Sequence, residues 1–285
     1  MSTAVQHTIQ PIPGSVGNFP IGRYLPSHIR QMVGPFIFMD LGGPLEIPAA
    51  LEGGTPEHPH AGLSTFTYLM QGSVQHTDSA GHRAVVEQGD VALMTSGSGI
   101  THEELPPGGL DPAQLRRVEF AQMWLALPDE VEDMDPTFQH VKAAELPVVD
   151  LAGGSARIGI GTGWDATAPT HIHTDTLFAE VKVAPGGTIT IEPNWEERAV
   201  ILLNGDASID DRPMKPLDLP VLEPSTTARI SSSSGARLLV FGGERFASTR
   251  HIAGSFVASS PDKIHQWMTD YSIGRFPRID RARTS

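Results

Sequence analysis

The sequence predicts a mostly β protein made of two similar halves and closed by one helix. Glycine (29) and proline (24) are scattered along all 285 residues and separate short β-branched or alternating runs. That spacing belongs to a sandwich or barrel of many short strands. A weak internal repeat points to duplication: a strand runs into Gly72-Ser73-Val74, and a second, in PNWEERAVILLNGDASI, runs into Gly205-Asp206-Ala207. Aligning those glycines superposes residues 66–70 on 199–203, as expected of two tandem antiparallel β-barrels.

Along the chain, STFTYLM (64–70), RAVVEQ (83–88), VEFAQMWLAL (118–127), FAEVKVA (178–184), RAVILL (198–203) and ARLLVFGG (236–243) read as strands. Turn chemistry separates them at DSAG (78–81), EQGD (87–90) and APGG (184–187). Residues 127–150 are acidic, proline-punctuated and weakly periodic, and read as a linker, giving domains of 1–135 and 136–285. The helix is expected over about 260–273. Ser259 or Ser260 can cap it and Pro261 suits its first turn; Ile264, Trp267, Met268 and Tyr271 make an apolar stripe, and Gly274 ends it. Such a stripe packs against the protein's own sheet.

The formal charge of −13 is spread along the chain, which favours solubility and gives no reason to expect direct nucleic-acid binding. The start lacks a basic leader and a signal-length apolar core, and no run approaches the ~18 apolar residues of a membrane span. A cytoplasmic protein is therefore expected, with no membrane partner, and a monomer. With no cysteine, thiolate chemistry is excluded and any metal must be held by nitrogen and oxygen.

The stretch HPHAGLSTFTYLMQG offers His58 and His60 at i and i+2, on one face if the chain is extended there. Pro59 favours extension of the residue before it and fits a strand start or edge. Twelve histidines occur, so this pair alone says little. A second pair, His102 and Glu104 in GITHEE, repeats the spacing after a glycine-rich turn. Three nitrogens and one oxygen suit Fe(II), Mn, Co, Ni or Cu with open positions, and equally four-coordinate Zn. His171, His173 and Asp175 form another same-face trio without a second pair. His76 and His82, about the DSAG turn, suit a hairpin or pocket rim, with His76 the closer to the site. Glu103 should point away from Glu104. Strand parity aims Ser64 and Phe66 at the same interior as the ligands, which makes them pocket candidates.

The segments VGPFIFMDLGGP, HPHAGLSTFTYLMQG, HTDSAGH, GDVALMTSGSGITHEE and DKIHQWMTDYSIGRF, in this order, resemble the pirin family of the cupin superfamily. The resemblance spans nearly the whole chain. It implies a bicupin, two barrels of the double-stranded β-helix kind, with one mononuclear metal in the N-terminal barrel, usually iron. The ligands carry over to His58, His60, His102 and Glu104. Ordinary cupins place their carboxylate ligand where this chain has Ser64, so the anion must come from Glu104. In the second barrel the matching positions are Ile191, Pro193 and Glu197, and no metal is expected there.

Several pirins resemble quercetin 2,3-dioxygenases, which open a flavonol ring with O2 and release carbon monoxide. This implies a dioxygenase taking a flavonol-like molecule and O2, with Glu104 as a candidate base for the 3-hydroxyl proton. The alternative is a metal- and redox-dependent regulatory module that binds a protein partner without physiological catalysis. A sugar isomerase or other non-redox cupin enzyme uses the same ligands but a more polar pocket than STFTYLM offers.

Overall fold

The computed structural model describes residues 4–48, 53–111 and 114–282. The first three residues of the start read above, and the last three of the second expected domain, lie outside that set. The chain is mostly β, as two compact units. One comprises residues 13–23, 38–143 and 246–285; the other comprises 1–12, 24–37 and 144–245. Grouping by contact thus cuts the chain in a different way from the expected sequence domains, 1–135 and 136–285. The opening residues belong with the C-terminal β unit and the closing helix with the N-terminal one, an exchange that a reading by sequence proximity cannot reveal.

In the unit of residues 144–245, an antiparallel sheet runs in the order Val5–Ile9, Leu219–Leu222, Glu197–Gly205, Ala236–Gly243, Thr176–Val183, Gly154–Gly163 and Val148–Leu151. A four-stranded sheet accompanies it, built on Thr188–Ile191 and Ala228–Ser231. Both contribute to one aliphatic core, in which Ile158, Val181, Val200 and Leu238 meet Ile189, Ile209 and Ile230. The interior is filled by branched side chains, which suits strands rich in Val, Ile and Leu. Glu197, the leftover carboxylate, accepts hydrogen bonds from Arg30, from the Gly34 N–H at 2.7 Å and from Arg245 Nε at 2.7 Å.

The other unit repeats the plan. Its larger sheet has the order Thr137–Val141, Val91–Thr95, Leu63–Gln71, Leu115–Ala126, Phe36–Pro48, Phe19–Leu25 and Ile12–Val16. Its smaller sheet has the order Thr55–His60, Ile100–Leu105, Val74–Asp78 and Arg83–Val86. Leu63–Gln71, central in the large sheet, is buried on both faces for eight consecutive residues, with Ser64, Thr65 and Thr67 among them. Here the interior contains a cavity of about 350 Å³.

Residues 127–150 are more than a linker. They contain strands Thr137–Val141 and Val148–Leu151, and Asp129, Glu132 and Asp133 are paired with Arg250 or Lys263. Glu132 is fully buried and accepts from the Ser259 N–H at 2.6 Å and from Lys263 at 3.0 Å. The helix, Pro261–Ser272, is the only α-helix among the described residues, and none is long and apolar enough to cross a membrane. Ser260 caps it by accepting the Asp262 N–H at 3.2 Å. Ile264 and Trp267 are buried beside Ala61, Phe256 and Phe276, with Tyr271 packed at the edge. Met268, placed on the stripe by periodicity, instead stays 45% exposed.

Candidate metal centre

The small sheet arranges the site by register. His58 and His60 share a face of Thr55–His60, and on Ile100–Leu105 His102 sits directly opposite His58. On its other side the same strand pairs His102 with Asp78 and Glu104 with His76. Antiparallel partners project to one face, so all six side chains share a single surface. Between His102 and Glu104 the pairing with Thr55–His60 slips by one residue, a bulge of the kind that re-aims side chains next to functional sites. Glu103 takes the opposite face, where Arg281 binds it at 2.8 Å.

The Nε2 atom of His58 lies 3.0 Å from that of His60 and 3.1 Å from that of His102. These are not hydrogen bonds, because the protons are committed elsewhere. His58 Nδ1–H donates to the Pro56 carbonyl at 2.8 Å, and His60 Nδ1–H donates to the Ser255 carbonyl at 3.0 Å. His102 is held by a longer chain: His76 Nε2–H donates to Asp78 at 3.2 Å, leaving His76 Nδ1 to face the Nδ1–H of His102 at 3.5 Å. All three Nε2 atoms therefore present lone pairs to one point. Two nitrogens about 2.1 Å from a common ion and at right angles lie roughly 3.0 Å apart. The cluster thus fits a divalent cation, with outer partners fixing each tautomer.

Electrostatics agree. Burial, reinforced by His58, pushes the His60 pKa down to about 3, and burial together with His60, His58 and His76 pushes His102 well below the ordinary value. Both rings are neutral, as ligands must be. For Asp78, burial pulls upward, but hydrogen bonds from His76 and from the His82 backbone and side chain hold its carboxyl below the usual range.

Glu104 stands slightly apart. Its carboxylate groups with His76 and His102, while His58, His60 and His102 form their own cluster. Thr67 explains the offset. Its hydroxyl lies 2.9 Å from Glu104 Oε1 and 2.8 Å from the Gln122 side-chain amide. The hydroxyl has a single proton for these two oxygen acceptors, Glu104 Oε1 and Gln122 Oε1, and when it donates to Glu104 it orients that carboxylate. The His171–His173–Asp175 stretch lies outside any strand, and Asp175 accepts from Trp195 at 3.2 Å.

The cavity opens from this cluster. Phe38 stacks on Trp124 at 4.0 Å, and Trp124 meets the His60 ring edge-on at 5.0 Å, making a flat aromatic wall. The expected pocket residues fall elsewhere. Thr67 and Leu69 line the cavity, whereas Ser64 is tied to Thr95 at 2.9 Å and Phe66 is fully buried outside the lining. Strand phase does not run on from His60, because Ala61 and Gly62 interrupt it and Gly62 has φ +72°. His76 likewise lies behind His102, stacked on Phe138 at 4.2 Å. Sequence reading missed Phe38, Thr67, Trp124 and the Ser255 carbonyl. Phe38, Thr67 and Trp124 lay within runs already quoted as motif or strand, but strand parity carried forward from His60 did not single them out.

Residues 18–125 match the family model described as Pirin, and residues 178–277 match that of the Pirin C-terminal cupin domain. A pirin-like protein of Caulobacter vibrioides is 36% identical over 276 residues, which is 94% of this chain and 93% of that protein. A Pseudomonas aeruginosa protein provisionally named quercetin 2,3-dioxygenase is 31% identical over 271 residues, covering 93% of this chain and 83% of its own length. The crystal structure of a quercetin 2,3-dioxygenase from Acinetobacter baumannii matches with a TM-score of 0.88 at 30% identity, over 96% of this chain and 91% of that one. Matched in both halves, and by a relative that aligns over nearly all of its length, the chain belongs to the pirin family.

Proposed function

We propose that the protein is a mononuclear metal dioxygenase of the quercetin 2,3-dioxygenase type, with His58, His60, His102 and Glu104 as ligands and iron as the ion. The observation that carries this reading is the convergence of three imidazole lone pairs at the end of an apolar, aromatic-walled cavity. When bound, the metal supplies Lewis acidity toward the flavonol 3-hydroxyl and its O2 chemistry. The protein's own groups do the rest. The Phe38–Trp124 wall suits the flat face of a flavonol. Glu104 borders the same cavity and takes the hydroxyl proton, with Thr67 directing its carboxylate. The names of the Pseudomonas and Acinetobacter relatives support the same chemistry.

The test is oxygen uptake on adding quercetin to protein purified without a His tag, with elemental analysis of the same sample and His102→Ala in parallel. Near-stoichiometric iron, uptake in the wild type, and loss of both in the variant are expected. Zinc in place of iron, or full metal without uptake, would overturn the oxygenase reading and favour a metal-dependent binding module.

A further inference from the structure

The wall of the cavity can be followed along one strand. In Leu115–Ala126 the alternate residues Trp124, Gln122, Phe120, Val118 and Arg116 all border it. Trp124 touches His60, so this end belongs to the metal cluster. Arg116 lies eight residues away, roughly 26 Å along a strand at about 3.3 Å per residue. Trp124 and Arg116 thus border the cavity from opposite ends of one strand, the first beside the imidazole cluster and the second remote from it.

That guanidinium is anomalous. Arg116 Nε is buried and finds no hydrogen-bond acceptor, and no carboxylate pairs with the side chain among the described residues. Burial lowers its pKa from the ordinary arginine value. The other arginine of the lining, Arg23, is paired: Asp40 takes it through two hydrogen bonds of 2.9 and 2.8 Å. The adjacent Arg117 pairs with Glu46 at 2.7 Å. A partly desolvated cation without an anion is costly, and a guanidinium fork matches a planar oxyanion through paired hydrogen bonds.

We propose that Arg116 is a specificity residue that receives an oxyanion carried by the end of the substrate remote from the metal. The substrate class is then an elongated, mostly apolar aromatic anion, chelating at one end and bearing a carboxylate, sulfate or phosphate ester at the other. A bare flavonol offers Arg116 nothing. The inference rests on reading the cavity as the substrate site.

The test uses two sets of flavonols that share the chelating 3-hydroxy-4-keto group and carry on the far ring the same series of alkyl linkers of increasing length, ending in one set in a carboxylate and in the other in its methyl ester. Binding to the metal-containing protein is measured by titration calorimetry, and oxygen uptake is recorded separately. At the linker length that reaches Arg116, the acid is expected to bind at least tenfold more tightly than the ester. Arg116→Gln should abolish the preference while leaving ester affinity within twofold and metal content unchanged, and Arg116→Lys should restore part of it. No preference in the wild type at any linker length, equal weakening of both probes by Arg116→Gln, or failure of either probe to bind would overturn the assignment. Preferential binding without oxygen uptake would support Arg116 while removing the oxygenase reading. Uptake without preference would do the reverse.

Discussion

His76 shows how one side chain changes meaning between sequence and structure. Proximity to the DSAG turn suggested a pocket rim, but the ring is buried against Phe138 and stands between Asp78 and His102. Its work is to accept the Nδ1 proton of His102 and so turn the Nε2 lone pair toward the ligand cluster. His76→Phe keeps the stacking shape and removes the acceptor. Outer partners of ligating histidines are commonly worth about 10–100-fold in metal affinity. A chelator competition should therefore show a loss of that order with an unchanged near-ultraviolet spectrum; unchanged affinity would mean that His102 needs no partner. The clustering of His58, His60 and His102 was legible because parity needs only i and i+2. Ser255 was not, because its carbonyl reaches His60 across 195 residues of sequence.

Elements carry these residues to their places, and the closing helix illustrates the link. Trp267 is buried beside Phe256 and Ala61; the latter precedes the phase-breaking Gly62 and follows His60 of the imidazole cluster. The Val257 N–H donates to the Ala61 carbonyl at 3.1 Å, and Ser255, which fixes the His60 tautomer, lies two residues before Val257. Trp267→Ala should cost about 3–5 kcal/mol by denaturant unfolding and should also weaken metal binding, although Trp267 touches no ligand. Loss of stability with undiminished metal affinity would uncouple the helix from the site. The helix limits were readable from Ser260, Pro261 and the stripe, but which unit it serves was not. A second tie, at Asp90, gives a pH signature. Burial raises its pKa, yet the Ala143 and Glu87 N–H groups, His140 and Lys142 together hold it below the usual carboxylate range. The unfolded chain takes up this proton near pH ~3.9, before the folded protein does. The stabilisation is thus complete above that pH and declines as pH falls toward the lower folded value. Asp90→Asn should flatten this part of the acid limb of stability against pH; an unchanged limb would assign it to other carboxylates.

At the scale of the whole molecule, duplication yields two β units with opposite interiors. One is filled by branched aliphatics; the other keeps a cavity bordered by imidazoles and aromatic rings. The internal repeat made the duplication visible, and the replacement of both histidines by Ile191 and Pro193 distinguished the halves. The exchange of terminal segments was hidden, because contacts distant in sequence decide it. Among the described residues, the aliphatic core of the filled unit offers no cluster of imidazoles or carboxylates. The other brings three Nε2 lone pairs to within about 3 Å of one another along two edges of a triangle, an arrangement that is electrostatically unfavourable without a cation between them. Metal binding and stability should therefore be linked. A ligand held only by the folded state at a thousand times its dissociation constant contributes about 4 kcal/mol. For a domain of 150–250 residues, each kcal/mol moves the midpoint by about 2–4 °C. Removing the metal with a chelator should lower the melting transition by on the order of 10 °C, and re-addition should restore it. His102→Ala should start near the stripped value and ignore the chelator. If metal is lost by elemental analysis while the wild-type transition stays in place, the cluster is stable without the ion and the link between site and fold fails.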